Sequence, residues 1–156
     1  MDSTFKQLQA DILGSRTFGW TTVALADRVG HFSNSAAEID EFVSTLGFKG
    51  ISDRWQFVSI SDAKTILVHV LARDLAYNGP IMAESAAQSL SDRFLAFFDR
   101  DVLCFTNGTY HVPPVQSSNA VQLGSGTDPI SDSTFDTGIV CLDSRRIGIV
   151  WVEDED

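Results

Sequence analysis

The sequence predicts a single α+β domain, with an antiparallel sheet made of C-terminal hairpins and helices packed on one sheet face. Three observations carry this. Apolar residues recur at helical spacing through much of the first hundred residues. Strand-like runs and turn signals dominate the rest of the chain. A chain of 156 residues with a 44% apolar fraction is long enough to bury one real core.

Each element has a local basis. "STFKQLQADILG" places Phe5, Leu8 and Ile12 on one helical face, with Ser3 or Thr4 as cap and Gly14 as stop. "TFGWTTVAL" has the β-branched and aromatic content of a strand. In "SNSAAEIDEFVSTLG", Ser35 and Glu38 have capping-box spacing. Ile39, Phe42, Val43 and Leu46 form its apolar stripe, Gly47 its C′ residue, and Glu38, Asp40 and Glu41 its outward face. "RWQFVSI" reads as a strand. "SDAKTILVHVLARDLAYNGP" carries a stripe from Ala63 to Leu75 and reads as a helix, with a strand over "TILVHVL" as the competing assignment. Asn78-Gly79-Pro80 stops it, and "IMAESAAQSLSDRFLAFF" supplies the second arm of a helical hairpin with a three-residue link.

Beyond Asp101 the pattern changes. "VLCFTNGTYHV" predicts a β-hairpin around Asn107-Gly108, so "NGT" reads as a turn rather than a glycosylation site. Residues 115–135 form a long polar loop, of the kind that is uncommon in compact domains unless it has a task. "TGIVCLDSRRIGIVWVED" predicts a second hairpin turning at residues 143–146, and residues 153–156 an acidic tail. Neither a repeat nor a domain boundary is visible.

Composition narrows the function. Acids outnumber bases 21 to 11, for a net charge of −10. Such a field repels nucleic acid and anionic membrane and favours basic partners. The start of the chain lacks signal-peptide character and no apolar run approaches a membrane span, so a cytoplasmic protein is expected. Cys104 and Cys141 lie in apolar runs and read as buried free thiols.

Motifs for chemistry are sparse. His31, His69 and His111 lack a neighbouring ligand at metal spacing, and "GSGTDP" lacks the lysine of a phosphate loop. Asp128, Asp132 and Asp136 offer oxygen ligands for calcium, though not at EF-hand spacing. No cofactor is expected. Across the Asn-Gly turn, Cys104 and His111 fall opposite each other, which is the seed of thiol catalysis with the 115–135 loop as a lid. A further alternative is self-assembly through the apolar hairpins.

The remaining signal is surface charge. From Asp99 onward there are ten acids and three bases. Strand alternation puts Trp151 on the face of Ile149 and Glu153, at the expected margin of the core. The expected partner-binding set is therefore Asp128, Asp132, Asp136, Glu153, Asp154, Glu155 and Asp156, with Trp151 as anchor. The simpler reading of "EDED" is a solvated tail that protects a strand edge.

This character resembles that of the immunity proteins of bacterial polymorphic and contact-dependent toxin systems. The closing segment "TFDTGIVCLDSRRIGIVWVEDED" is similar in style to the ends of such proteins. The resemblance implies a cytoplasmic inhibitor that binds and blocks a basic toxin, such as a nuclease. Phage-encoded inhibitors of host defence share the same profile.

Overall fold

The computed structural model describes residues 3–29, 32, 34–108, 110–111, 122–123 and 128–155. Its elements are α1 (Ser3–Ser15), β1 (Trp20–Asp27), α2 (Ser35–Thr45), a 3-10 turn (Ser52–Arg54) and β2 (Gln56–Val58). Then come α3 (Ile60–Ala72), α4 (Glu84–Leu95), β3 (Leu103–Thr106), β4 (Tyr110–His111), β5 (Gln122–Leu123), β6 (Phe135–Leu142) and β7 (Arg146–Asp154). This is the α+β domain the sequence predicts.

Five strands form an antiparallel sheet in the order β1-β7-β6-β3-β2. The hairpin of β6 and β7 is its centre, and both strands are apolar on both sides. Ile139, Cys141, Val150 and Val152 face a core shared with α1, α3 and α4. Val140, Leu142, Ile147, Ile149 and Trp151 face a second core shared with α2, Trp55 and Ile130. The helices are therefore not confined to one face, because α2 covers the other. A continuous apolar strand needs cover on both sides, and the first face is already filled by three helices.

Trp151 lies directly over Gly138, its partner in the β6–β7 register. A Cβ at Gly138 would sit 2.0 Å from the Val150 carbonyl oxygen and 3.0 Å from the Trp151 ring. Glycine is required there because the neighbouring strand backbone, and then the indole, leave no room for a side chain.

Phe5, Leu8 and Ile12 turn α1 into the first core, as their spacing predicts. In α2 the cap is Asn34, whose side-chain oxygen accepts the Ala37 N–H at 2.9 Å from an extended backbone. The Ser35–Glu38 capping box therefore does not form, and Glu38 is drawn inward to Arg28. Nor is Asp40 free on the outward face, since it is partly buried. Its carboxylate accepts the Ile51 and Ser52 N–H groups and the Trp55 indole N–H. At the other end Gly47 sits at φ 91, and the N–H groups of Gly47 and Phe48 reach the Ser44 and Val43 carbonyls. This is a Schellman stop.

α3 is a helix and not a strand, capped by Ser59 and buried along Ala63, Ile66, Leu67, Val70 and Leu71. It ends at Ala72, short of Leu75. The link to α4 spans residues 73–83 and not three residues, because the Asp74 carboxylate closes a turn by accepting the Tyr77 and Gly79 N–H groups. An Arg73–Pro80 bridge then sets the chain into α4.

The hairpin expected at Asn107-Gly108 does not form. β3 pairs with β2 on one side and β6 on the other, and β4 pairs with β5 in a separate ribbon. Asn107 is fully buried instead, and its amide donates to the Asp128 and Asp136 carbonyls while its oxygen accepts the Thr137 hydroxyl. Much of the expected 115–135 loop lies outside the described residues. The part from 128 to 134 is pinned to the fold: Lys49 donates to the Ile130 carbonyl, and Ile130 is buried. No helix among the described residues is long and apolar enough to cross a membrane.

Candidate binding cleft

The first strand and the last are neighbours. Trp20 opens β1 opposite Glu153, and Thr22 lies opposite Trp151, so all four side chains occupy one sheet face. At the open end of that face α2 has already stopped at Gly47, and the chain crosses back through Phe48 and Lys49 to meet residues 130–133. The gap between these three walls is a cleft of about 640 Å³. Trp20, Lys49, Asp132, Glu153 and Glu155 line it.

Hydrogen bonds fix the acidic wall. The Ser133 hydroxyl donates to Glu153 at 3.1 Å. The Thr134 N–H donates to Glu155 at 3.1 Å, and the Thr134 hydroxyl donates to the same carboxylate. The Thr134 hydroxyl, and then its N–H, hold the Glu155 carboxyl below its usual pKa, so it is charged throughout the neutral range. Asp132 stands exposed on the opposite wall. Three acidic residues thus share the cleft with one lysine, Lys49, beside an indole that is 62% exposed. A carboxylate array next to an aromatic face is complementary to a lysine or arginine side chain, through charged hydrogen bonds and cation–π contact.

Of the eight residues expected to bind a partner, the structure brings Asp132, Glu153 and Glu155 into this cleft. Asp128 is elsewhere, half-buried in an ion pair with Arg54 at 3.0 Å. Trp151 is fully buried, so it is not an anchor at the core margin. The apolar run from Ile147 to Val152 marks a central strand, buried from Ile147 to Val152 and covered on both faces. Asp136 is also buried, where it accepts the Ile130 and Ser131 N–H groups and the Asn107 amide. Burial pushes its pKa up, against the Ser131 and Ile130 donors. It holds a turn and does not face a partner.

Asp154 is the sharpest correction. It belongs to β7 and is fully buried, where it takes Arg16 in a two-pronged pair at 2.9 and 2.7 Å. It also accepts the Leu75 N–H. Gly19, at φ 66, packs so close that a Cβ would meet the Asp154 carboxylate at 2.0 Å. Glu153 and Asp154 thus belong to a strand locked into the fold and not to a solvated tail, whereas Glu155 is exposed beyond the strand end. Asp156 lies outside the described residues.

Trp20 was missed in the sequence. The available signal was parity: it shares the sheet face of Thr22 but stands at the strand's first position, beyond the covering helix.

Two other arrangements have less to offer. Cys104 and His111 are not cross-strand partners, because β2 and β6 occupy both sides of β3. Asp99, Asp101 and Asp143 bring carboxylate oxygens within 4.8 Å of one another. Burial raises the Asp143 pKa, but the Asp99, Arg145 and Arg146 N–H groups outweigh it and hold the carboxyl low, while Asp99 faces Arg145. These bonds shape a turn.

No family model, curated protein or solved structure matches the chain.

Proposed function

We propose that this chain is a protein-binding module that seats a basic partner in the acidic cleft between β1, β7 and residues 130–133. Inhibition of a basic toxin or nuclease is the activity such docking would serve. The observation that carries the proposal is the meeting of Asp132, Glu153 and Glu155 with the exposed indole of Trp20 in one concavity. Two of the three carboxylates are held in place by hydroxyl or backbone donors, so little conformational freedom is lost on binding. The net charge of −10 adds long-range steering toward a basic surface.

The test is to recover the protein with its bound partners from its source cell, after nuclease treatment, and to wash at low and then high salt. The expected result is a stoichiometric basic protein that the natural chain holds at low salt. The Asp132→Asn/Glu153→Gln/Glu155→Gln variant should lose it. Equal retention by the variant, or no basic protein at all, would overturn the proposal.

A further inference from the structure

The chain has two cysteines, and the sheet register sets them face to face. Cys104 of β3 is the direct antiparallel partner of Cys141 of β6. Their sulfurs are 3.4 Å apart, and both residues are buried in the core beneath α3. Directly opposed positions of an antiparallel pair have Cα separations of roughly 4.5–5.5 Å, inside the range that a disulfide spans. Closing the bond therefore needs the two sulfurs to approach without a change of register.

We propose that Cys104 and Cys141 are a disulfide-forming site that an oxidant of the hydroperoxide class converts to a covalent β3–β6 link. Cys104 is the attacking thiol. The hydrogen bond from Cys141 eases its ionisation against the cost of burial, whereas burial first, and Cys104 second, hold Cys141 protonated. The Cys104 thiolate attacks the terminal peroxide oxygen, the O–O bond breaks, and the alkoxide leaves with a proton as the alcohol or, from hydrogen peroxide, as water. The product is a sulfenic acid on Cys104. The Cys141 sulfur then attacks that sulfur, and the S–O bond breaks. Hydroxide leaves and takes the Cys141 proton as water. Two thiols are oxidised by two electrons, and one peroxide is reduced.

The link would close a segment that runs 37 residues from one cysteine to the other. That segment contains Ile130–Ser133, which supply one wall of the cleft. A cross-link of this span restricts the unfolded chain far more than the folded one. The pair is independent of the binding proposal, since neither sulfur reaches the cleft.

The experiment treats the natural protein with hydrogen peroxide and follows thiol titration, intact mass and thermal unfolding with and without reductant. The expected result is loss of both thiols together, with a mass lower by two hydrogens in the monomer. The unfolding midpoint should rise by roughly 5–15 °C and fall back on reduction. Cys141→Ser should instead gain oxygen on Cys104 with no rise in the midpoint. Persistence of both thiols in the folded protein would overturn the proposal. So would oxygen addition at Cys104 or Cys141 of the natural chain, located by peptide mapping apart from the methionines, or a disulfide between two chains.

Discussion

Of the arginine–aspartate pairs that join distant parts of this chain, Arg16–Asp154 and Arg54–Asp128 differ in almost everything but chemistry. Arg16–Asp154 has neither side chain exposed, whereas in Arg54–Asp128 the side chains are 58% and 31% exposed. The Arg16 guanidinium also donates to the carbonyls of Val70, Phe18 and Arg73. It thereby gathers the end of α1, the end of α3, the entry to β1 and the end of β7 at one point. The Arg54 group makes one bond to Asp128 and one to its own local backbone. An ion pair stabilises a fold in proportion to what else depends on it, and a carboxylate in an acidic run can be a structural member as readily as a surface charge.

The largest expected effect comes from breaking the buried pair. Asp154→Asn keeps the shape but leaves the Arg16 charge in the core, which should cost about 3–5 kcal/mol. Urea unfolding of both proteins would measure it. Exchanging a buried pair for apolar residues often restores stability. Arg16→Met/Asp154→Leu should not do so here, because three backbone carbonyls would lose their donor. A double variant as stable as the natural chain would show that those carbonyls find other partners.

Arg28–Glu38 stands between the two extremes. Its side chains are 36% and 6% exposed, and Arg28 grips both Glu38 oxygens at 2.7 and 2.6 Å while also donating to the Asp143 carbonyl. The hydrogen bonds to Glu38 raise the Arg28 pKa despite its partial burial. Removing one partner should therefore be asymmetric. Arg28→Ala strands a buried carboxylate and should cost about 1.5–3 kcal/mol. Glu38→Gln leaves an arginine that can reach water, and should cost less. Equal losses in parallel urea titrations would mean that Glu38 finds water when Arg28 is gone.

His69 sharpens the contrast, because it is a partly buried base that the Arg73 charge repels. Burial first, and the Arg73 charge second, lower its pKa from 6.5. The groove around it also holds Lys64 of α3 and Glu84 and Asp92 of α4, with Lys64 and Asp92 paired at 2.8 Å. The folded state binds the His69 proton less readily than the unfolded state. Its contribution is therefore complete above pH 6.5 and is lost as the pH falls below that value toward the folded pKa. His69→Gln should flatten the stability–pH curve in that window. A curve unchanged by the substitution would assign the slope to other groups.

The local elements were legible in the sequence and the long-range ones less so. α1, α2 and α3 could be read because their apolar spacing is a property of consecutive residues. The β6–β7 hairpin was readable for the same reason. The pairing of β1 with β7 and of β3 with β6 could not be read, since antiparallel partners far apart in sequence leave no local mark. The Asn-Gly signal at 107 was overruled because Asn107 satisfies buried carbonyls of Asp128 and Asp136. The site was half legible. Acid content identified Asp132, Glu153 and Glu155, but nothing local separates them from Asp136 and Asp154, whose roles are set by donors from distant segments. The position of Trp151 did have a local signature: six consecutive residues without a charge or hydroxyl before "EDED" describe a strand covered on both faces, which places the indole inside.

The smallest effect should come from the exposed pair. Arg54→Ala removes an ion pair that water and salt already screen, and it should change stability by no more than about 0.5 kcal/mol. The reason is not distance, since the 3.0 Å contact to Asp128 is nearly as short as the 2.7 Å contact between Arg16 and Asp154. It is that both Arg54 and Asp128 remain solvated when separated, whereas Arg16 and Asp154 cannot. Added salt discriminates further. The Arg54→Ala difference should vanish at high ionic strength, where exposed charges are screened within a few ångströms, while the Asp154→Asn difference should persist. A loss of about 2 kcal/mol or more at Arg54 would mean that residues 128–134 depend on this pair. The bonds from Asn107, Lys49 and Asp136 to that segment would then be insufficient to hold the cleft wall.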